Sequence, residues 1–520
     1  MKMPEEKKSL LYKLKFIIDK WPAISKPEGH IPFKTKLLWT GLILVLYFAL
    51  TNVLLYGVSA QQLDMFAGFR AIMAGESGSI MHLGIGPIVT GSIIMQLFVG
   101  AKIINLDLKN KDDKAIYQGF QKILVLVMIL IQAIPQVYGY LRPDDAFVRM
   151  VGLGWANNII ILQLFAGAYL VFMMDEVVSK WGIGSGISLF IAAGVAQAIF
   201  TGTFNWMPVN AGLAMSASNP PSGCLIKTGY LLFAEPVSNL VRGGGFEQIF
   251  LQAPNPLISL IGTIGIFFLV VFVESMRIEL PLAHTTVRGA RGRYPIKLIY
   301  ASNIPVILMS TLLANINMFA LLFWSNPTMR KIPLLGGKWW IGNYGPLDSL
   351  SQDPLMGGAW YTSRINGLQE WLLSSIFPDR YGAYLAGHEP WQMMIRVLVY
   401  VGLMIFGSIL FGLFWIETTG MSSKDVSEQI QSSGMQIPGF RRDPRIIEKI
   451  LERYIPAVTI IGAAFVGGLA AFADMIGTVG NTSGTGVLLT VGIIIQMYEL
   501  IAREQAMEMH PMLRQFFGVE

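Results

Sequence analysis

The chain has 520 residues, 53% of them apolar and only 14% charged, with mean hydropathy +0.53 and a formal net charge of +6. Soluble domains carry about 25% charged residues, so the composition excludes a soluble protein and points to a polytopic helical membrane protein. The single Cys224 excludes an intramolecular disulfide framework and a cysteine metal site, and reads as an ordinary loop residue.

Residues 1–36 hold nine lysines and no uninterrupted apolar core of the signal-peptide kind. Leu10, Leu11, Leu14, Ile17, Ile18 and Trp21 fall at helical spacing between lysines. That pattern fits an amphipathic helix lying in the membrane interface, or equally one packed on the protein's own cytosolic side. Ten spans follow, at 37–58, 82–101, 118–141, 155–174, 186–204, 256–276, 298–324, 391–416, 456–475 and 483–502. The second is the most informative. His82 to Lys102 is long enough to cross a bilayer, yet opens with Gly84, Gly86 and Pro87. The piece before it, 61–74, is too short and too polar to span. Broken backbone at membrane depth must be buried in protein or line a watery cavity, because lipid cannot satisfy its free groups. The chain therefore surrounds a pathway.

An even number of spans puts both ends on one side, and 28 of the 39 Lys and Arg residues place that side inside. Ten divides as five plus five, and an odd number per half gives the halves opposite orientation, as in inverted-repeat membrane proteins. The expected organisation is a cytosolic N-terminal segment (1–36), an N-terminal half (37–204), an external hinge loop (205–255), a C-terminal half (256–502) and a cytosolic tail (503–520). The C-terminal half carries an external insertion at 325–390, which the sequence leaves open as a lid or a surface elaboration. Its two inner loops, 277–297 and 417–455, are basic and bear Gly and Pro, which suits a polyanionic partner such as RNA or anionic lipid. Positive-inside topology alone would also explain the charge.

Ionisable side chains are nearly absent from the span interiors. Asp175, Glu176, Glu274, Glu417, Asp474 and Glu499 sit at or near ends, and the interior polar residues are amides and hydroxyls: Thr90, Gln96, Gln132, Gln163, Gln197, Asn315 and Asn317. Ion-coupled carriers usually place ionisable groups at the midplane. No phosphate-cradling loop, metal cluster or acid–base constellation emerges, so the expectation is a non-enzymatic conduit without cofactor or metal. A small-solute transporter is the rival class, and it would need a compact polar site at the midplane.

The stretches FKTKLLWTGLILVLYF (33–48), LGIGPIVTGSIIMQLFVG (83–100), DEVVSKWGIGSGISLFIAAGVAQ (175–197), ESMRIELPLAH (274–284), YPIKLIYASNIPVIL (294–308), FGLFWIETTG (411–420) and GTGVLLTVGIIIQMYE (484–499) closely resemble the SecY family in its archaeal form. SecY is the large subunit of the protein-conducting translocon. The resemblance covers roughly 33–510.

It implies an all-α clamshell of ten transmembrane helices around an hourglass pore with a short plug helix. The pore would conduct unfolded secretory polypeptides and release hydrophobic segments into lipid through a lateral gate. By local motif it implies an aliphatic pore ring of Ile85, Val89, Ile187, Ile191, Ile307 and Leu489. The spacing of Ile85/Val89 and Ile187/Ile191 puts each pair on one helix face, and such a constriction can block ions by dewetting. The plug falls on 61–74, with Gln61, Leu63, Met65, Phe66, Phe69 and Arg70. Arg70 and Glu76 make it more polar than the family's small-residue pattern. The gate lies between spans two and three and spans seven and eight, with Thr90, Gln96 and Asn315 as polar contacts. Arg288, Arg291, Arg293, Arg441 and Arg442 would dock the ribosome. The implied partners are the SecE and beta small subunits of a heterotrimer, signal-bearing nascent chains and membrane lipid. The implied location is the cell membrane, with both termini cytoplasmic.

Overall fold

The computed structural model describes residues 24–509 apart from 26, 30, 60–73, 101–102, 105, 107–109, 140, 211–212, 217, 235, 237, 239–244, 285–290, 298–302, 328, 347–352, 433–434 and 437–443. Ten main helices form at the ten apolar stretches. They are α1 (Phe33–Thr51), α2 (Gly86–Gly100), α3 (Lys111–Gly139), α4 (Leu153–Trp181), α5 (Gly186–Phe204), α6 (Leu257–Ser275), α7 (Ile304–Ser325), α8 (Pro390–Thr419), α9 (Pro444–Ile476) and α10 (Gly484–Met509). Nine of them are long and apolar enough to cross a membrane. The exception is α2, whose 15 residues rise about 22 Å.

The expected second span, 82–101, is therefore helical only from Gly86. Residues up to Ile85 form turns, with Gly84 at φ +52°. Left-handed backbone is freely open to glycine, and Pro87 at the second helical position costs no hydrogen bond, because that N–H has no partner inside a helix. The backbone at this break is satisfied by protein: Ile80 N–H donates to Val53 O and Leu55 N–H to Gly78 O, at 2.8 Å each. Gly167 of α4 makes the approach possible, since a Cβ there would lie 2.0 Å from Ile80 O.

Two groups of helices share one core. α1 packs on α4, α4 on α3 and α5, and α3 on α2. In the second group α8 packs on α7 and α9, and α10 on α6 and α9. Gly467 lets α9 approach α8 closely, for a Cβ would meet Met404 O at 2.6 Å. The groups meet along two seams, α5 against α10 and α2–α3 against α7–α8. Ion pairs collect one set of helix ends on one face. Lys36 at the start of α1 pairs with Glu504 of α10 at 2.8 Å, Lys122 of α3 pairs with Glu176 near the end of α4, and Lys297 reaches Glu499 of α10 at 3.3 Å.

The two basic loops, 277–297 and 417–455, are more structured than loops. Residues 277–297 carry strands β1 (Arg277–His284) and β2 (Arg291–Lys297), paired antiparallel with Leu280 opposite Tyr294. β3 (Met435–Gln436) joins β1 on its other side, so both loops belong to one sheet in the order β2-β1-β3. Within 417–455, a helix spans Ser423–Ser432 and α9 starts twelve residues before the expected span. Ile447, Leu451 and Ile455 recur every four residues along α9 and bury against Val426 and Ile430 of that short helix.

The insertion at 325–390 is a folded cap over the opposite ends of α7–α9. Tyr344 OH donates to Asn317 O at 3.0 Å, and Trp371 Nε1 donates to Met475 O at 2.9 Å. The guanidinium of Arg396 on α8 pairs with Glu370 at 2.7 Å and donates to Ser363 Oγ and Arg364 O. Arg364 lies 3.7 Å from Asp474 at the end of α9. Asp474 also accepts from Tyr400 OH and Gly484 N–H, each at 2.7 Å. Each charge in this layer has an opposite charge or several donors, as burial requires.

Candidate functional site

The six aliphatic ring candidates lie on short stretches at or near α2, α5, α7 and α10. Ile85 sits one residue before α2, and its carbonyl accepts from Val89 N–H at 3.0 Å, so the pair keeps helical spacing across the helix start. Asp175 of α4 caps α5 by accepting from Ile187 N–H at 2.9 Å. Gly186 is required there, because a Cβ would lie 2.6 Å from the Asp175 backbone. Ile85, Val89, Ile191 and Leu489 are buried in the main hydrophobic cluster, and Ile187 and Ile307 pack against it half-buried. α7 and α10 are tied by Ser310 Oγ and Thr485 Oγ1, 3.3 Å apart. Across the α5–α10 seam a Cβ on Gly486 would touch Val195 at 3.1 Å.

The other seam carries the polar contacts. Asn315 Nδ2 of α7 donates to Thr90 Oγ1 of α2 at 3.1 Å. Gln132 Nε2 of α3 donates to the same Thr90 oxygen at 3.0 Å and to Asn315 Oδ1 at 3.2 Å. All three side chains are buried, and they stitch three helices from both groups at one point. Thr90 and Asn315 thus meet. Gln96 does not join them: it is buried, and its Oε1 has no hydrogen-bond partner. The third member of the knot is Gln132. Its clue was a second amide four residues on, Gln136, which shares its face of an otherwise apolar span.

Just past the plug candidates, Ala74 O accepts from Tyr47 OH at 3.0 Å, and the Tyr47 ring stacks on Phe190 of α5 with centroids 4.9 Å apart. The plug candidates Gln61, Leu63, Met65, Phe66, Phe69 and Arg70 lie outside the described residues, as do Arg288, Arg441 and Arg442. Arg291 and Arg293 fall on β2, opposite Ala283 and Pro281 of β1. Among the described residues no group of His, Cys, Asp and Glu could hold a metal ion.

Between α5 and α6, the helix Cys224–Ala234 buries Lys227, whose ammonium donates to Gln252 O at 2.9 Å and Pro254 O at 2.8 Å. Burial pushes this amine down to about 8. Burial also raises the Cys224 thiol. Glu247 in the 205–255 segment accepts from Arg380 and Tyr381 of the cap, fastening the two segments together.

Ten apolar helices in two packed groups, joined along two seams with a polar knot on one of them, define a polytopic helical membrane protein. Comparison makes this specific. The SecY family model matches residues 79–498, and that for the plug domain of Sec61p matches residues 45–78. The chain belongs to the SecY family. It is 42% identical to the protein translocase subunit SecY of Archaeoglobus fulgidus, over 98% of this chain and 99% of that one. The Haloferax volcanii protein of that name is 44% identical over 97% and 98%. A solved protein-conducting channel superposes with a TM-score of 0.74 at 38% identity, covering 96% of this chain and 98% of its own. Sec61 in the canine ribosome-channel complex from the endoplasmic reticulum gives 0.72 at 38% identity, with the same coverages.

Proposed function

We infer that this chain is the channel-forming subunit of a protein translocase. It conducts unfolded polypeptides across the membrane and passes hydrophobic segments sideways into lipid. The observation that carries this reading is the α2–α3/α7–α8 seam, where two apolar walls are joined by one buried knot of Thr90, Gln132 and Asn315. Hydrogen bonds between membrane helices contribute only about 0.6 kcal/mol on average. A hydrophobic segment offering comparable packing can therefore part these walls, which a rigid carrier would not allow.

In this reading Ile85, Val89, Ile187, Ile191, Ile307 and Leu489 form the pore ring, and residues 61–74 form the plug above it. Thr90, Gln96 and Asn315 belong to the gate, to which Gln132 is added. The halves are 37–204 and 256–502, hinged through 205–255. The basic sheet and its loops, with Arg288, Arg291, Arg293, Arg441 and Arg442, face the cytosol and meet ribosomal RNA. Phosphate contacts make that docking strongly salt-dependent. The chain's likeness to Sec61 in a ribosome-channel complex supports this assignment, and the family kinship supports SecE and beta subunits as partners, a cell-membrane location, cytoplasmic termini and a non-enzymatic role. A photo-crosslinker placed at Ile187 or Ile307 tests the conduit directly. It should attach to a stalled secretory nascent chain. Crosslinking to lipid alone, with substrate engaged, would refute the reading.

A further inference from the structure

The outer cap carries five cations on the face that the inside rule leaves poor in them: Arg330, Lys331, Lys338, Arg364 and Arg380. Arg364 and Arg380 are accounted for by Asp474 and Glu247. The other three surround a different feature. Immediately after α7 the chain doubles back, and Gly337 N–H donates to Phe323 O at 2.9 Å. The Arg330 guanidinium lies over the Trp324 ring, 5.1 Å from its centroid. Phe323 and Trp324 belong to the last turn of a membrane-spanning helix, so the returning tip lies at the height where that helix leaves the bilayer. At the tip Leu334 is 72% exposed and Trp339 68%, with Trp340 and Leu335 also exposed. Leu334 is held at φ +76°, a conformation that leucine rarely adopts. No Asp or Glu occurs between 326 and 346.

We propose that this tip is a docking surface for the outer leaflet and that its partner is anionic lipid. The apolar side chains enter the interface, where tryptophan is favoured, and Lys331 and Lys338 meet headgroup phosphates. Basic side chains near an anionic surface are drawn to it, and the attraction falls off within a Debye length. Anchored there, the cap holds the outer ends of α7 and α8 at a fixed depth. The proposal rests on the N-inside orientation inferred above.

The test uses the full-length protein in nanodiscs of phosphatidylglycerol or phosphatidylcholine, spin-labelled at Leu334→Cys, with Asp379→Cys as a control elsewhere on the cap. Power saturation compares accessibility to oxygen with that to a water-soluble nickel chelate. The expected result is a several-fold preference for oxygen at position 334 in phosphatidylglycerol. That preference should be reduced in phosphatidylcholine and by Lys331→Gln/Lys338→Gln, with water-like behaviour at 379 throughout. Water-like accessibility at 334 in both lipids would overturn the proposal, whether the tip faces solvent or the translocating chain. Equal oxygen preference in both would overturn the choice of anionic lipid. Depth in a nanodisc does not depend on which face is outside. Labelling of Asp379→Cys in intact cells with a membrane-impermeant maleimide therefore tests orientation separately.

Discussion

Thr90, Gln132 and Asn315 share three hydrogen bonds among three side chains, so none of them has an independent energy. Replacing Asn315 with leucine leaves Gln132 and Thr90 buried with fewer partners, and an unsatisfied buried polar group costs about 1–3 kcal/mol. Replacing Gln132 as well removes one of the groups left stranded. The Gln132→Leu/Asn315→Leu pair should therefore destabilise the closed seam less than the two single changes summed, by about 0.5–1.5 kcal/mol. A double-mutant cycle on disulfide formation between cysteines placed across α2 and α7 measures this, and strict additivity would show that the two amides do not cooperate. Lys227 makes a second residue-scale prediction. Its amine falls from an ordinary 10.5 to about 8 on folding. Below pH 8 it is charged in both folded and unfolded chains, and the penalty of burying the charge is fully present. Between pH 8 and 10.5 the folded chain loses its proton first, and the penalty is relieved. Protease resistance of the hinge should thus rise with pH through that window, and Lys227→Met should flatten the profile.

At the scale of elements, the cap behaves as part of the C-terminal half. Arg396 lies on α8 while its partners Glu370, Ser363 and Arg364 lie in the cap, and Asp474 adds the ends of α9 and α10. Removing one member of a buried pair leaves the other charge uncompensated, at a cost of about 3–5 kcal/mol. Arg396→Met should therefore lower thermal stability markedly in detergent and free the cap to proteolysis. A melting temperature within a degree of wild type would show that Glu370 finds water instead. None of this was legible in the sequence, because Arg364, Arg396 and Asp474 are far apart in the chain and carry no periodic signal. The spans were legible, since runs of about 20 apolar residues leave few alternatives. The break before α2 was also legible, in Gly84, Gly86 and Pro87. The start of α9, ahead of the expected span, escaped notice because its apolar stripe is interrupted by charges that face water. Gln132 was visible as an interior amide, but its partners on α2 and α7 are set by tertiary packing alone.

For the whole molecule, the proposed conduit requires that two halves close on a charge-free axis and part when a polypeptide arrives. Four of the six aliphatic side chains assigned to the ring are buried and two half-buried, all in or against the core shared by both halves. A barrier made by dewetting depends on apolar bulk at the waist rather than on any single group. Ile85 and Val89 lie at the start of α2, Ile187 and Ile191 on α5, Ile307 on α7 and Leu489 on α10, helices that meet along the two seams, while the plug and the docking arginines are proposed through kinship alone. The most direct test is resting ion conductance of the purified protein in planar bilayers, without substrate, comparing wild type with Ile85→Gly/Val89→Gly/Ile187→Gly/Ile191→Gly after confirming that the variant melts cooperatively. The account predicts a silent wild type and a steadily leaking variant. A variant as silent as the wild type would contradict it.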